Sequence, residues 1–175
     1  MNKNINLLAI SYVFGFTAAT ITVFLGAIIG SQIASIKSLS TLPVALSVVG
    51  TAICTILAAK IMSKIGRRLG FIFAALGSSA TALVATFAIY QQNFILFCIS
   101  NLILGMGMAF THQYRFAAAE SVEKEKAPKA ISILMLSGIV AAFLGITSSN
   151  YTKNIFSDHL YVGSYLLLAA FTFMP

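Results

Sequence analysis

The sequence predicts an all-α membrane protein of six transmembrane helices, and three observations carry that prediction. Hydrophobic residues make up 59% of the 175-residue chain and charged residues 9%, with a mean hydropathy of +0.95. That leaves too little polar surface to coat a soluble domain of this size. Formal charge is absent from Ser38 to Ala59 and from Leu69 to Tyr114, and runs that are apolar on every side are stable only in lipid or deep inside a large protein. Charge gathers instead in short segments between those runs, most densely in Lys60-Ile61-Met62-Ser63-Lys64-Ile65-Gly66-Arg67-Arg68.

A helical crossing needs about 20 mostly apolar residues, so cutting the chain at its polar punctuation predicts spans at 5–30, 42–59, 70–90, 94–116, 130–150 and 160–175. The first follows Met1-Asn2-Lys3-Asn4 as a secretory signal would. It is longer than a signal's apolar core and lacks a small-residue cleavage site, so it reads as a retained helix. The second ends at the basic cluster, which is expected as a loop at the membrane surface. The third and fourth form one charge-free run too long for a single crossing, with Gln91-Gln92-Asn93 as its only polar break, and a tight turn is expected there. The fifth follows a loop holding Glu120, Glu123 and Glu125 among Arg115, Lys124, Lys126 and Lys129. The sixth stops after sixteen residues, and Pro175 reads as a truncation point. No linker or low-complexity segment divides the chain, so one domain over 1–175 is expected. Three helices, a short connection and three helices starting from the opposite side is the arrangement that two inverted three-helix repeats require, although the halves share no persuasive residue match.

Orientation follows from the basic residues. Lys3, Lys60, Lys64, Arg67, Arg68, Arg115, Lys124, Lys126 and Lys129 fall on one side of these spans, and Lys37 and Lys153 on the other. Nine against two places both termini in the cytoplasm, and Asp158 in an outer loop. The net charge of +7 is thereby read as topology, with membrane lipid and not nucleic acid as the partner. Cys54 and Cys98 lie within apolar runs and behave as small hydrophobes, so no disulfide, metal or cofactor set is expected. No Ser-His-Asp set, HExxH or cysteine cluster points to an enzyme.

The basic cluster resembles the second-to-third loop motif of the major facilitator superfamily (MFS), written G-x-L-x-D-R-x-G-R-R/K. Ile61, Lys64, Gly66, Arg67 and Arg68 match in kind, while Ala59 stands for the first glycine and Ser63 for the acid. The motif belongs in the first cytoplasmic loop, where the charge count independently puts it. In the fourth span Asn101-Leu102-Ile103-Leu104-Gly105-Met106-Gly107-Met108-Ala109 is similar to the family's R-x-x-x-G-x-G-x-A, with Asn101 in place of arginine. In the fifth, Gly138 to Ile146 is similar to the antiporter branch's glycine-rich motif, with Ile146 for its proline, which points towards efflux. Gln113 to Glu120 is similar to a segment of one bacterial subgroup, which implies a bacterial cytoplasmic membrane. Members usually have twelve spans in two six-helix halves, so the resemblance implies an amino-terminal half lacking its carboxyl-terminal partner.

Candidate functional residues follow from helical spacing. Asn101, Gly105, Met108 and His112 step by four, three and four residues and share one face. The resemblance implies that the first and fourth helices line a transport cavity, which adds Ser11 and Thr22 on the first. Equally, Ser11 and Thr22 can satisfy their hydroxyls on their own backbone, and Asn101 can bond a neighbouring helix. The resemblance also makes Ile61, Ser63, Lys64, Gly66, Arg67, Arg68 and Glu120 a conformational latch in which Glu120 pairs with Arg67 or Lys64. The expected function is secondary transport of a small solute by half of a permease. The competing reading is a non-transporting six-helix membrane protein or the remnant of a disrupted transporter gene.

Overall fold

The computed structural model describes residues 3–156 and 160–174; Asp158 and Pro175, named above, lie outside the described residues. Among the described residues seven α-helices follow in order, α1 (Lys3–Ile33), α2 (Leu42–Ile65), α3 (Arg67–Tyr90), α4 (Phe94–His112), α5 (Tyr114–Glu120), α6 (Ala127–Thr152) and α7 (Val162–Phe173). Five stretches among the described residues are long and apolar enough to cross a membrane, and Val162–Phe173 is a shorter apolar helix. At about 1.5 Å per residue its twelve residues reach about 18 Å, short of a hydrocarbon core about 30 Å thick. Pro43 and Pro128 sit in the first turns of α2 and α6, where a missing N–H costs nothing.

Two junctions differ from the expectation. The cluster 60–68 is not a loop: α2 runs on through Lys60 to Ile65 and α3 starts at Arg67, with Gly66 the single residue between them. Lysine, methionine and isoleucine continue a helix readily, so the charge marks where the chain leaves the apolar layer and not where the helix stops. Gly66 makes the stop, at φ 86° and ψ 155°, a conformation accessible in practice to glycine alone. The fourth span divides at Gln113, whose N–H bonds Phe110 O at 2.9 Å, an i→i−3 closure that separates α4 from α5. The expected turn at Gln91-Gln92-Asn93 is present, with Gln92 at φ 51° and Asn93 capping α4 by accepting from the Leu96 N–H at 3.0 Å.

α1 touches all six other helices, and the closest pairs are α2 with α4, α1 with α6 and α3 with α7. Exchanging α1 with α4, α2 with α6 and α3 with α7 maps these three pairs onto one another, as an inverted repeat would. Each pair is pinned by one hydroxyl donating to a carbonyl across the interface: Thr51 to Gly105 O at 2.9 Å, Thr17 to Ala141 O at 3.3 Å, and Ser79 to Ala169 O at 2.9 Å. Such bonds are worth about 0.6 kcal/mol each in a membrane, so they set register more than stability. α2 and α4 come backbone to backbone, because a Cβ built on Gly105 would run into the Ser47 carbonyl and one on Gly50 into the Leu102 carbonyl.

Two apolar clusters mark the ends of the bundle. Ile29, Ile89, Phe97 and Tyr165 gather where α3 meets α4, and Ile5, Tyr114, Ala118 and Leu134 gather where α5 meets the start of α6. Outside, Ile56 on α2, Phe73 on α3 and Phe143 on α6 are well exposed. Apolar surface of that extent is tolerated against lipid or against another membrane protein.

Candidate functional site

The α4 stripe divides between two environments. Asn101 is fully enclosed: its Nδ2 donates to Phe97 O at 2.8 Å, and the Tyr165 hydroxyl of α7 is its polar neighbour. Asn101 Oδ1 and that hydroxyl are both sealed from water without a well-formed hydrogen bond. Gly105 is consumed by the contact with α2. One turn and two turns further on, Met108 and His112 emerge into an open groove of about 680 Å³ between α1, α2 and α4, shared with Phe16, Thr20, Phe24 and Thr51.

The two α1 candidates lie elsewhere. Thr22 is buried, and its hydroxyl donates to Ala18 O at 2.9 Å beside a small internal cavity of about 40 Å³. Ser11 lines a different cavity, at the basic end of the bundle, together with Arg67, Arg68, Tyr114 and Glu120. The structure thus brings Met108 and His112 together in the groove, lets Met108 also line the small cavity beside Thr22, and holds Asn101, Gly105 and Ser11 apart from both. Thr20 and Thr51, which the spacing of α4 could not reveal, complete the groove.

Within the basic segment the residues do different things. Arg67 sends Nε to Glu120 Oε2 at 3.0 Å and Nη2 to Glu120 Oε1 at 2.5 Å, with Gln113 Oε1 at 3.4 Å from Nη1. This fork fixes both planes of the pair. The Ser63 hydroxyl donates to Lys60 O of its own helix at 2.8 Å. Ile61, Lys64 and Arg68 point outward and are exposed. Arg67, freed from the α2 direction by the bend at Gly66, is the residue of this segment that reaches α5.

Known proteins place this architecture. A sequence profile of the Major Facilitator Superfamily matches residues 7–174. The chain belongs to that superfamily. The riboflavin transporter RfnT of Brucella anthropi is 33% identical over 164 residues, covering 94% of this chain and 41% of that protein. Two uncharacterised MFS-type transporters of Bacillus subtilis (strain 168) also match: YddS is 26% identical over 158 residues, and YdeG 29% over 147. This MFS chain spans 41%, 36% and 33% of the length of these relatives. No solved structure matches it.

Proposed function

We propose that the chain works as the amino-terminal half of a twelve-helix MFS permease that carries a small solute across a bacterial cytoplasmic membrane by alternating access, with both termini in the cytoplasm. The observation that carries this reading is the groove. Its polar and aromatic side chains come from α1, α2 and α4, whereas α3 and α7 pair with each other. A second six-helix unit covering the groove would close it into a cavity between two halves, the architecture on which alternating access depends. Membrane lipid and that second unit are the partners the reading requires. Because a relative is named for riboflavin transport, riboflavin is the first solute to assay.

The test is flux. Proteoliposomes holding residues 1–175 alone are expected to show no riboflavin uptake or release above protein-free vesicles, and co-reconstitution with a carboxyl-terminal six-helix unit is expected to produce it. Flux by purified monomers of residues 1–175 would overturn the half-permease reading.

A further inference from the structure

The groove has a lopsided hydrogen-bonding inventory. Three hydroxyls line it, and each has committed its proton to a main-chain carbonyl: Thr20 to Phe16 O at 3.1 Å, Ser47 to Val44 O at 2.7 Å, and Thr51 to Ser47 O and Gly105 O, both at 2.9 Å. They can accept from a ligand but have no proton left to give. His112 is the lining side chain whose ring N–H is not engaged in a hydrogen bond among the described residues. Among the described residues, no lysine, arginine, aspartate or glutamate lines the groove.

The apolar part of the wall has a matching character. Phe16 and Phe24 stand two helical turns apart on one face of α1, and Met108 faces the same space from α4. The Phe16 ring is held from behind, stacked on Tyr12 at 5.2 Å between centroids; Tyr12 meets Tyr114 edge-on at 6.1 Å, and Tyr114 stacks on Phe71 at 3.9 Å. A ring fixed by its neighbours loses little freedom when a ligand lies on it. Aromatic faces and a thioether favour a flat π-system. A charged group here would give up hydration with no countercharge among the lining residues.

We propose that the groove binds an uncharged, planar heteroaromatic solute against Phe16, Phe24 and Met108, and that His112 selects it by donating to a carbonyl or ring nitrogen on its edge. This rests on the transport reading for its physiological meaning and adds to it a ligand class and the residue that reads the ligand.

The probe is lumiflavin, a flat neutral ring system, with flavin mononucleotide as the same ring carrying a phosphate. Both are titrated by flavin fluorescence against the purified chain co-reconstituted with a carboxyl-terminal six-helix unit in nanodiscs of neutral phosphatidylcholine, with helicity and monodispersity checked for every variant. Saturable lumiflavin binding is expected, with flavin mononucleotide about tenfold weaker or worse. His112→Ala should weaken lumiflavin by about tenfold, the worth of one lost hydrogen bond, and His112→Gln, which keeps a donor, should recover part of that loss. Phe143→Ala, on the exposed face of α6, is the control expected to bind as the parent chain does. Absent saturable binding, equal affinity for the phosphorylated flavin, or a folded His112→Ala that binds normally would each overturn the inference. The two readings fail separately: His112-dependent binding without flux in the twelve-helix assembly sinks transport alone, and flux indifferent to His112 sinks this inference alone.

Discussion

Arg67 and Glu120, 53 residues apart in sequence, meet through two parallel hydrogen bonds that tie the start of α3 to the end of α5. The Glu120 side chain is 62% exposed, and an ion pair in water contributes about 0–1 kcal/mol. Its weight therefore falls on geometry. Glu120→Gln is expected to leave the melting temperature nearly unchanged but to raise maleimide labelling of a cysteine placed at Ser63, in a chain with Cys54 and Cys98 replaced by alanine. Exchanging the charges, Arg67→Glu with Glu120→Arg, should restore slow labelling. If labelling is the same in all three, the segment serves topology alone.

Gly66 is a backbone requirement without a packing requirement, since a Cβ added there meets nothing within 4 Å. Gly66→Ala should cost about 1–3 kcal/mol through conformation alone. Thermal unfolding in detergent measures the loss, and a variant as stable as the parent would show that the junction can re-form as an ordinary turn.

Gly105 presents the opposite case, because the obstacle is the Ser47 carbonyl on a neighbouring helix. Gly105→Ala should separate α2 from α4, break the Thr51 bond to Gly105 O, and destabilise by about 1–3 kcal/mol. Gly77, exposed on α3 with open space around it, is the companion measurement: Gly77→Ala should be neutral or stabilise by up to about 1 kcal/mol.

Tyr165 carries its hydroxyl into a sealed site without a well-formed bond. Removing an unsatisfied buried hydroxyl while keeping the ring relieves a desolvation penalty, so Tyr165→Phe should match or exceed the parent in stability. A loss above about 1 kcal/mol would mean that the hydroxyl and Asn101 do bond in the membrane.

Reporter fusions after Arg68 and after Asn93 should signal opposite sides of the membrane, the first cytoplasmic. α3 is the helix between them, and both fusion points fall at helix junctions. Matching signals would remove the six-crossing arrangement.

The apolar helices and the Gln91–Asn93 turn were legible because polarity changes sharply there, and polarity is what a sequence displays. The Gly66 junction was not, since Lys60 to Ile65 carries the charge of a loop and the propensity of a helix. Spacing put Asn101, Gly105, Met108 and His112 on one face, but a face is only a direction. What covers each turn depends on how α2 crosses α4, and the Gly50 and Gly105 contacts set that crossing so that the first two residues are enclosed and the last two are open. Thr20 and Thr51 escaped notice because an isolated threonine in an apolar helix carries no local sign of the helix it will face.

The exchange relating α1 to α4, α2 to α6 and α3 to α7 leaves the three main helix pairings the same when read from either end. Pairings of that kind carry little information about which end faces which side, so the core gives the membrane machinery few cues for orientation. The decision is left to a few lysines and arginines that contribute little to the packed interior, Arg67 apart. Moving the positive charge of Lys60, Lys64 and Arg68 to the 31–41 connection should therefore push the molecule towards insertion upside down with its core intact. The same economy lets a lineage reverse a membrane protein by editing surface residues while its helix contacts stay under unchanged selection.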